Sequence, residues 1–261
     1  MRRFEGQTAL ITGSTHGIGL GIARRLRHEG ASVVVNDQGA YDGEAIAEDL
    51  RAIDAPGDAL YVEADVSNAT AIRRLVDSAV SEYGQIDVLV NNVGVNSQGY
   101  LFDTDLDEWD SVFTASLRGA WLMTKYALPH MPEGSSIVNT SSTNAEMTVP
   151  SFFPYNVAKA GVDGLTRAMA VELGPLGITA NAIQPGAILT DNPDEEELDQ
   201  NPEIDPLGRW GRPEDIAGVA AFLASDDAGY VTGVSIPVDA GRSVSLSGSQ
   251  QADLAPEWSD I

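Results

Sequence analysis

The stretch TGSTHGIG, residues 12–19, joins two segments of opposite character. Before it, residues 8–13 (TALITG) form a short apolar run that suits a buried strand. After it, Ile18, Ile22 and Leu26 fall on one helical face and Gly30 supplies a stop, which predicts a helix over 18–30. A strand that turns into a helix through glycines brings backbone N–H groups and a helix N-terminus to one point, where a pyrophosphate can be held. The glycines stand at 13, 17 and 19, spaced G-x-x-x-G-x-G rather than the more familiar G-x-G-x-x-G. A plain strand–helix turn is the competing explanation; the position at the first crossover favours a nucleotide.

The same alternation continues outward from this loop. Apolar runs at 32–37 (SVVVND), 59–65 (ALYVEAD), 86–92 (IDVLVNN), 136–142 (SIVNTSS), 179–186 (TANAIQPG) and 235–240 (SIPVDA) read as strands. Helical spacing occupies 43–54, a segment through Ile72, Val76 and Val80, about 107–128, about 154–173, and the residues after Pro213. Strands this continuously apolar are covered on both faces, so the chain is predicted to be α/β, with one doubly wound parallel sheet of about seven strands and helices on both faces. No repeat or interdomain linker breaks it. One domain is expected over 1–243, including an acidic loop at 190–209 (DNPDEEELDQNPEID at 191–205), followed by a tail at 244–261 that is flexible or part of an interface.

Composition narrows the function. Among 261 residues there are 15 Lys and Arg against 39 Asp and Glu, a net charge of −24. Such a field repels phosphate backbones and anionic lipid, so neither a nucleic acid nor a membrane is an expected partner. Acid excess with only two lysines, Lys125 and Lys159, suits a salt-rich cytoplasm in which screening removes self-repulsion; an ordinary acidic enzyme is the alternative. The absence of cysteine removes disulfides, thiolate metal sites and cysteine nucleophiles. The first residues, MRRFEGQTALITG, give neither a leader nor a span, and a cytoplasmic location is expected.

Asp37 ends the second strand, roughly 20 residues beyond the glycines, where a carboxylate can accept from both ribose hydroxyls and repel a 2′-phosphate. The expected cofactor is therefore NAD rather than NADP. His16 complicates this, because a cation inside the loop would attract the extra phosphate; at neutral pH it should lose to Asp37.

From residue 7 to about 243 the chain resembles the short-chain dehydrogenase/reductase family. The likeness rests on TGSTHGIG, ADV (64–66), NNVG (91–94), Ser142 with YNVAK (155–159), NAIQPG (181–186) and VDAG (238–241), in that order and with the thirteen-residue step from Ser142 to Tyr155. The resemblance implies a Rossmann-type fold and a nicotinamide cofactor. It places Asp65, with Val66, at the adenine, and Asn92, with Gly94, beside the adenosine half. It places Ile188 and Thr190, beyond Pro185 and Gly186, at the carboxamide. With the loop residues Gly13, Thr15, His16, Gly17, Ile18 and Gly19, and with Asp37, Tyr155 and Lys159, these make the expected cofactor set.

Tyr155 and Lys159 lie one turn apart on a single helix face. A phenol with a reference pKa of about 10 is a poor base at neutral pH, so a neighbouring ammonium is expected to lower it into the useful range. Ser142 can hydrogen-bond the substrate oxygen, and the resemblance adds that Lys159 also holds the nicotinamide ribose. One position departs from the family pattern: Ser116, in ASLRGAW (115–121), stands where many members carry an asparagine that fixes a proton-relaying water. Ser116 with one further water is expected to keep that relay.

The substrate is expected against Asn96, Asn144, Glu146 and Phe152. Amides and a carboxylate suit a sugar or small neutral alcohol; a 3-oxoacyl thioester and a catalytically weak nucleotide sensor are the alternatives. His16, His28 and His130 are far apart in sequence, the acids Asp194, Glu195, Glu196 and Glu197 read as a solvated lid, and no metal is expected. Trp109, Phe113, Leu117 and Trp121 recur at helical spacing and read as core or subunit interface. The family packs its fourth and fifth helices between subunits, so a homotetramer or homodimer is implied.

Overall fold

The computed structural model describes residues 2–190 and 205–245; the acidic run of the expected loop and the tail beyond Ser245 lie outside the described residues. Seven parallel strands form one sheet: β1 (Thr8–Ile11), β2 (Ser32–Asp37), β3 (Ala59–Glu63), β4 (Val88–Asn91), β5 (Ser136–Thr140), β6 (Thr179–Pro185) and β7 (Ser235–Val238). Their spatial order is β3-β2-β1-β4-β5-β6-β7, so the chain reverses direction across the sheet between β1 and β4. The register sets Leu10 opposite Val34 on one side and Leu89 on the other. Several strands end one or two residues earlier than the apolar runs suggest, because those last residues leave the ladder to form the rim above it.

The helices are α1 (Gly17–His28), α2 (Gly43–Arg51), α3 (Ala69–Tyr83), α4 (Leu106–Phe113), α5 (Gly119–Ala127), α6 (Phe153–Leu173) and α7 (Pro213–Leu223). Alternate strand residues point to opposite faces, and two cores result. Ile11, Val33, Val35, Val90 and Ile183 pack with Ile22 and Leu26 of α1, Leu50 of α2 and Ile216 of α7. Leu10, Val34, Leu89 and Ile137 pack with Ile72 and Leu75 of α3, Met123 of α5 and Leu173 of α6. Each fully buried Leu or Ile contributes roughly 1.5–3 kcal/mol, so both sheet faces are strongly specified.

The long helix expected over about 107–128 runs unbroken from Leu106 to Ala127 but widens part-way. A π-turn at Thr114–Arg118 separates α4 from α5, with Ser116 buried at its centre. Its hydroxyl accepts from the Val95 N–H at 3.3 Å, tying the widened turn to the loop after β4.

Candidate active site

A cleft of about 540 Å³ opens above the C-terminal ends of β1 and β4, where the strand order reverses. That is the position where open α/β sheets bind ligands. Its first wall is the glycine loop. α1 begins behind His16, which makes no side-chain cap, and its first turn holds no acid. By contrast α2, α3 and α4 are capped by Asp42, Asn68 and Asp105. The leading N–H groups of α1 therefore keep their positive end of the dipole for a ligand. Gly19 is demanded by packing, since a Cβ there would lie 2.2 Å from the Gly13 carbonyl oxygen. Asn92 clamps the same loop: its amide donates to the carbonyls of Thr12 at 3.1 Å and Gly13 at 2.9 Å, and its oxygen accepts from the Thr140 hydroxyl at 3.3 Å.

At one end of the cleft stands Asp37, almost fully buried. The Gly39 N–H and the Tyr61 hydroxyl donate to Oδ1 at 2.6 and 2.9 Å, and the Thr15 hydroxyl donates to Oδ2 at 2.8 Å. Burial alone would push this carboxyl up; the Gly39 N–H and the Thr15 and Tyr61 hydroxyls hold it below the usual range instead. Burial and Asp37 push the Tyr61 phenol well above its ordinary value. The Tyr41 N–H adds a further bond that lowers the Asp37 carboxyl. Nearby, the His16 and Tyr41 rings stack at 4.4 Å with 19° between planes.

At the other end α6 presents Tyr155 and Lys159 together. Lys159 Nζ donates to the Thr140 carbonyl at 2.7 Å and lies 5.5 Å from the Tyr155 ring centroid. Gly94 leaves room for it: a Cβ there would stand 2.8 Å from Nζ. Burial pushes the Lys159 ammonium down to about 8, with Asp163 opposing. Burial pushes the Tyr155 phenol up, with a hydrogen bond from Ser142 opposing. Burial of the site thus works against the expected acidification of the phenol by the ammonium. Both groups are buried, burial disfavours the charged form of each, and the charge is not in direct contact with the phenol.

On the substrate side Asn96 lines the cleft, and the Phe152 ring stands edge-on to Tyr155 at 6.5 Å. Asn144 and Glu146 do not line the cleft and bond to neighbouring side chains. The Asn144 amide donates to Asn156 at 3.1 Å, and Glu146 accepts from the Gln184 amide at 3.3 Å. Ser142 Oγ accepts from the Asn144 N–H at 3.2 Å, which fixes it at the head of the cleft.

A family model described as Enoyl-(Acyl carrier protein) reductase matches residues 13–243, a span holding every residue of the cleft. The chain belongs to the short-chain dehydrogenase/reductase family. As a member it is an oxidoreductase, and its similarity to single proteins spans most of the chain. The 3-oxoacyl-(acyl-carrier-protein) reductase of Staphylococcus aureus is 38% identical over 241 residues, 90% of this chain and 97% of that protein. The short-chain dehydrogenase/reductase of Serratia marcescens superposes with a TM-score of 0.87 at 38% identity, covering 92% of this chain and 99% of that one. A short-chain dehydrogenase from Burkholderia cenocepacia, solved in complex with NADP, gives 0.85 at 32% identity over 92% of this chain and 99% of that one.

Within this short-chain dehydrogenase/reductase, Gly13, His16, Gly17, Ile18, Asp37, Asp65, Val66, Asn92, Gly94, Pro185, Gly186, Ile188 and Thr190 meet in one cleft with Ser142, Tyr155 and Lys159. Thr15, Gly19 and Ser116 do not line it: Thr15 acts through Asp37, Gly19 through the loop, and Ser116 through Val95. The uncapped α1 terminus and the carboxylate at the end of β2 fit a dinucleotide. Tyr61 and the Thr140 carbonyl were not expected. Tyr61 could be found only from register, since it pairs with Val35 on the strand that carries Asp37.

Proposed function

We propose that the chain interconverts a secondary alcohol and a ketone with NAD, with Tyr155 exchanging the proton at the substrate oxygen. The observation that carries this reading is the meeting of Ser142, Tyr155 and Lys159 at one end of a cleft whose other end is an uncapped helix terminus and a buried carboxylate. Ser142 holds the substrate oxygen. Tyr155 takes the alcohol proton in oxidation and returns one in reduction. Lys159, anchored on Thr140, holds the nicotinamide ribose and keeps a positive charge near the phenol. The bound nicotinamide supplies hydride acceptance or donation at C4 and, when oxidised, a positive ring that lowers the phenol against the effect of burial.

NAD is favoured because the three donors keep Asp37 ionised, and a 2′-phosphate beside it would meet like charge. NADP is the second reading. His16 at the loop supports it, as does the NADP bound by the Burkholderia relative. The substrate is a neutral alcohol or ketone. With Asn144 and Glu146 bonded to Asn156 and Gln184, a sugar has fewer unengaged polar partners, while Phe152 and the similarity to the Staphylococcus reductase support a 3-oxoacyl thioester as the alternative.

The chain works as a cytoplasmic homodimer or homotetramer suited to high salt. Phe113, Leu117 and Trp121 face Gly161, Gly164 and Leu165 of α6 across a shallow apolar groove, the surface expected between subunits. A panel of sugars, secondary alcohols, ketones and 3-oxoacyl thioesters, followed by NADH absorbance in molar salt, tests the function. Turnover with an alcohol or ketone and NAD(H) is expected; its absence across the panel with both nicotinamide cofactors would refute it.

A further inference from the structure

We propose that Asp163 is a positioning residue that keeps Lys159 charged inside the protein, with Gln184 fixing the Asp163 carboxylate for that task. The proposal rests on the role assigned to Lys159 above.

Asp163 follows Lys159 by four residues on α6, so the two side chains share a helix face one turn apart. Both are buried, at 4% and 3% exposure. A buried ammonium needs a counter-charge, and the carbonyl of Thr140 that Lys159 touches is neutral. Asp163 needs one equally. Its Oδ2 accepts from the Gln184 amide at 2.8 Å, while its Oδ1 is buried with no hydrogen-bond partner among the described residues. Among the described residues, its own helix supplies Lys159 one turn back, with Tyr155 a turn further, and the exposed Arg167 one turn on. The segment after β5 supplies Glu146, whose carboxylate accepts from the same Gln184 amide, and β6 supplies Gln184, which is neutral.

Separation by one turn matters for the chemistry. A direct ion pair would draw Nζ away from Thr140 and the phenol. Coulombic support from a turn away leaves the ammonium donors where the cleft needs them, and Asp163 raises the Lys159 ammonium against the lowering by burial. Gln184 stands just before Pro185 and Gly186 of the cleft wall, so the clamp ties α6, β6 and the segment after Ser142 into one unit.

The chain holds only two lysines, which makes the test direct. Lysine labelled with ¹³C at Cε gives one signal for Lys159 and one for Lys125, whose Nζ stands over the Trp121 ring at 5.3 Å and serves as reference. In the parent, Lys159 should titrate near 8. In Asp163→Asn its midpoint should fall by about one unit, as expected on losing an opposite charge, and Asp163→Glu should restore it. Lys125 should not move. If Asp163→Asn does not fold, Asp163→Ser, which gives the vacated volume to water, is read the same way. An unmoved Lys159 midpoint, or a shift matched by Lys125, overturns the proposal. Because the titration needs no turnover, its outcome is separate from that of the reaction assigned to the cleft.

Discussion

The two ends of the cleft treat their buried charges differently. Asp37 has three donors within 2.9 Å and a lowered pKa. Lys159 has one neutral carbonyl and is pushed down to about 8, while the phenol beside it is pushed up. The recognition end is fully compensated, so its charge is fixed and can discriminate between ligands. The chemical end is under-compensated, so small added charges move its protons. Charge held firmly selects, and charge held loosely reacts.

The comparison is broken most severely by Lys159→Met. Turnover should fall by about 10²–10⁴-fold, the usual scale for losing general acid–base assistance, measured by initial rates at saturating cofactor. The same variant isolates the proton balance of Lys159. The folded chain releases that proton at about 8 whereas the unfolded chain keeps it to 10.5, so between these values the unfolded state binds more protons. Parent stability should therefore rise relative to the variant across that window, by up to about 3 kcal/mol in urea unfolding, and the two should run parallel below it.

Asp37→Asn removes the charge from the compensated end while keeping its shape. NADPH should bind about tenfold to a hundredfold tighter, with NADH little changed, because a like charge is lost. The gain should shrink in molar salt, which fluorescence titration at two ionic strengths reads directly. Ser116→Asn is the mildest change. It restores the family residue in the π-turn against Val95, and a modest rise in turnover is expected with cofactor affinity unchanged. An unaltered rate would remove the idea that serine slows the relay.

Much of this was legible in the sequence. The alternation of apolar runs gave the seven strands and their order of chemistry, since parallel strands buried on both faces have no polar alternation to confuse them. The glycine loop, Asp37, Ser142, Tyr155 and Lys159 sat at strand ends or on one helix face, positions that local spacing defines. What spacing could not show was tertiary. Tyr61 reaches Asp37 through the register of β2 with β3, and Thr15 through that of β1 with β2. The π-turn needs the contact between Ser116 and Val95 from a different loop. The burial that raises Tyr155 is a property of the packed cleft, which a helix-local argument does not contain. The partners of Asn144 and Glu146, Asn156 and Gln184, are likewise brought to them only by the fold.

The central claim is that the Tyr155 hydroxyl carries the proton while the rest of the cleft holds the dinucleotide. Tyr155→Phe, assayed for turnover and for NADH binding by fluorescence in the same preparation, tests it most directly. Turnover should fall by about 10²–10⁴-fold with the NADH dissociation constant nearly unchanged. Turnover that survives the loss of the hydroxyl would contradict it.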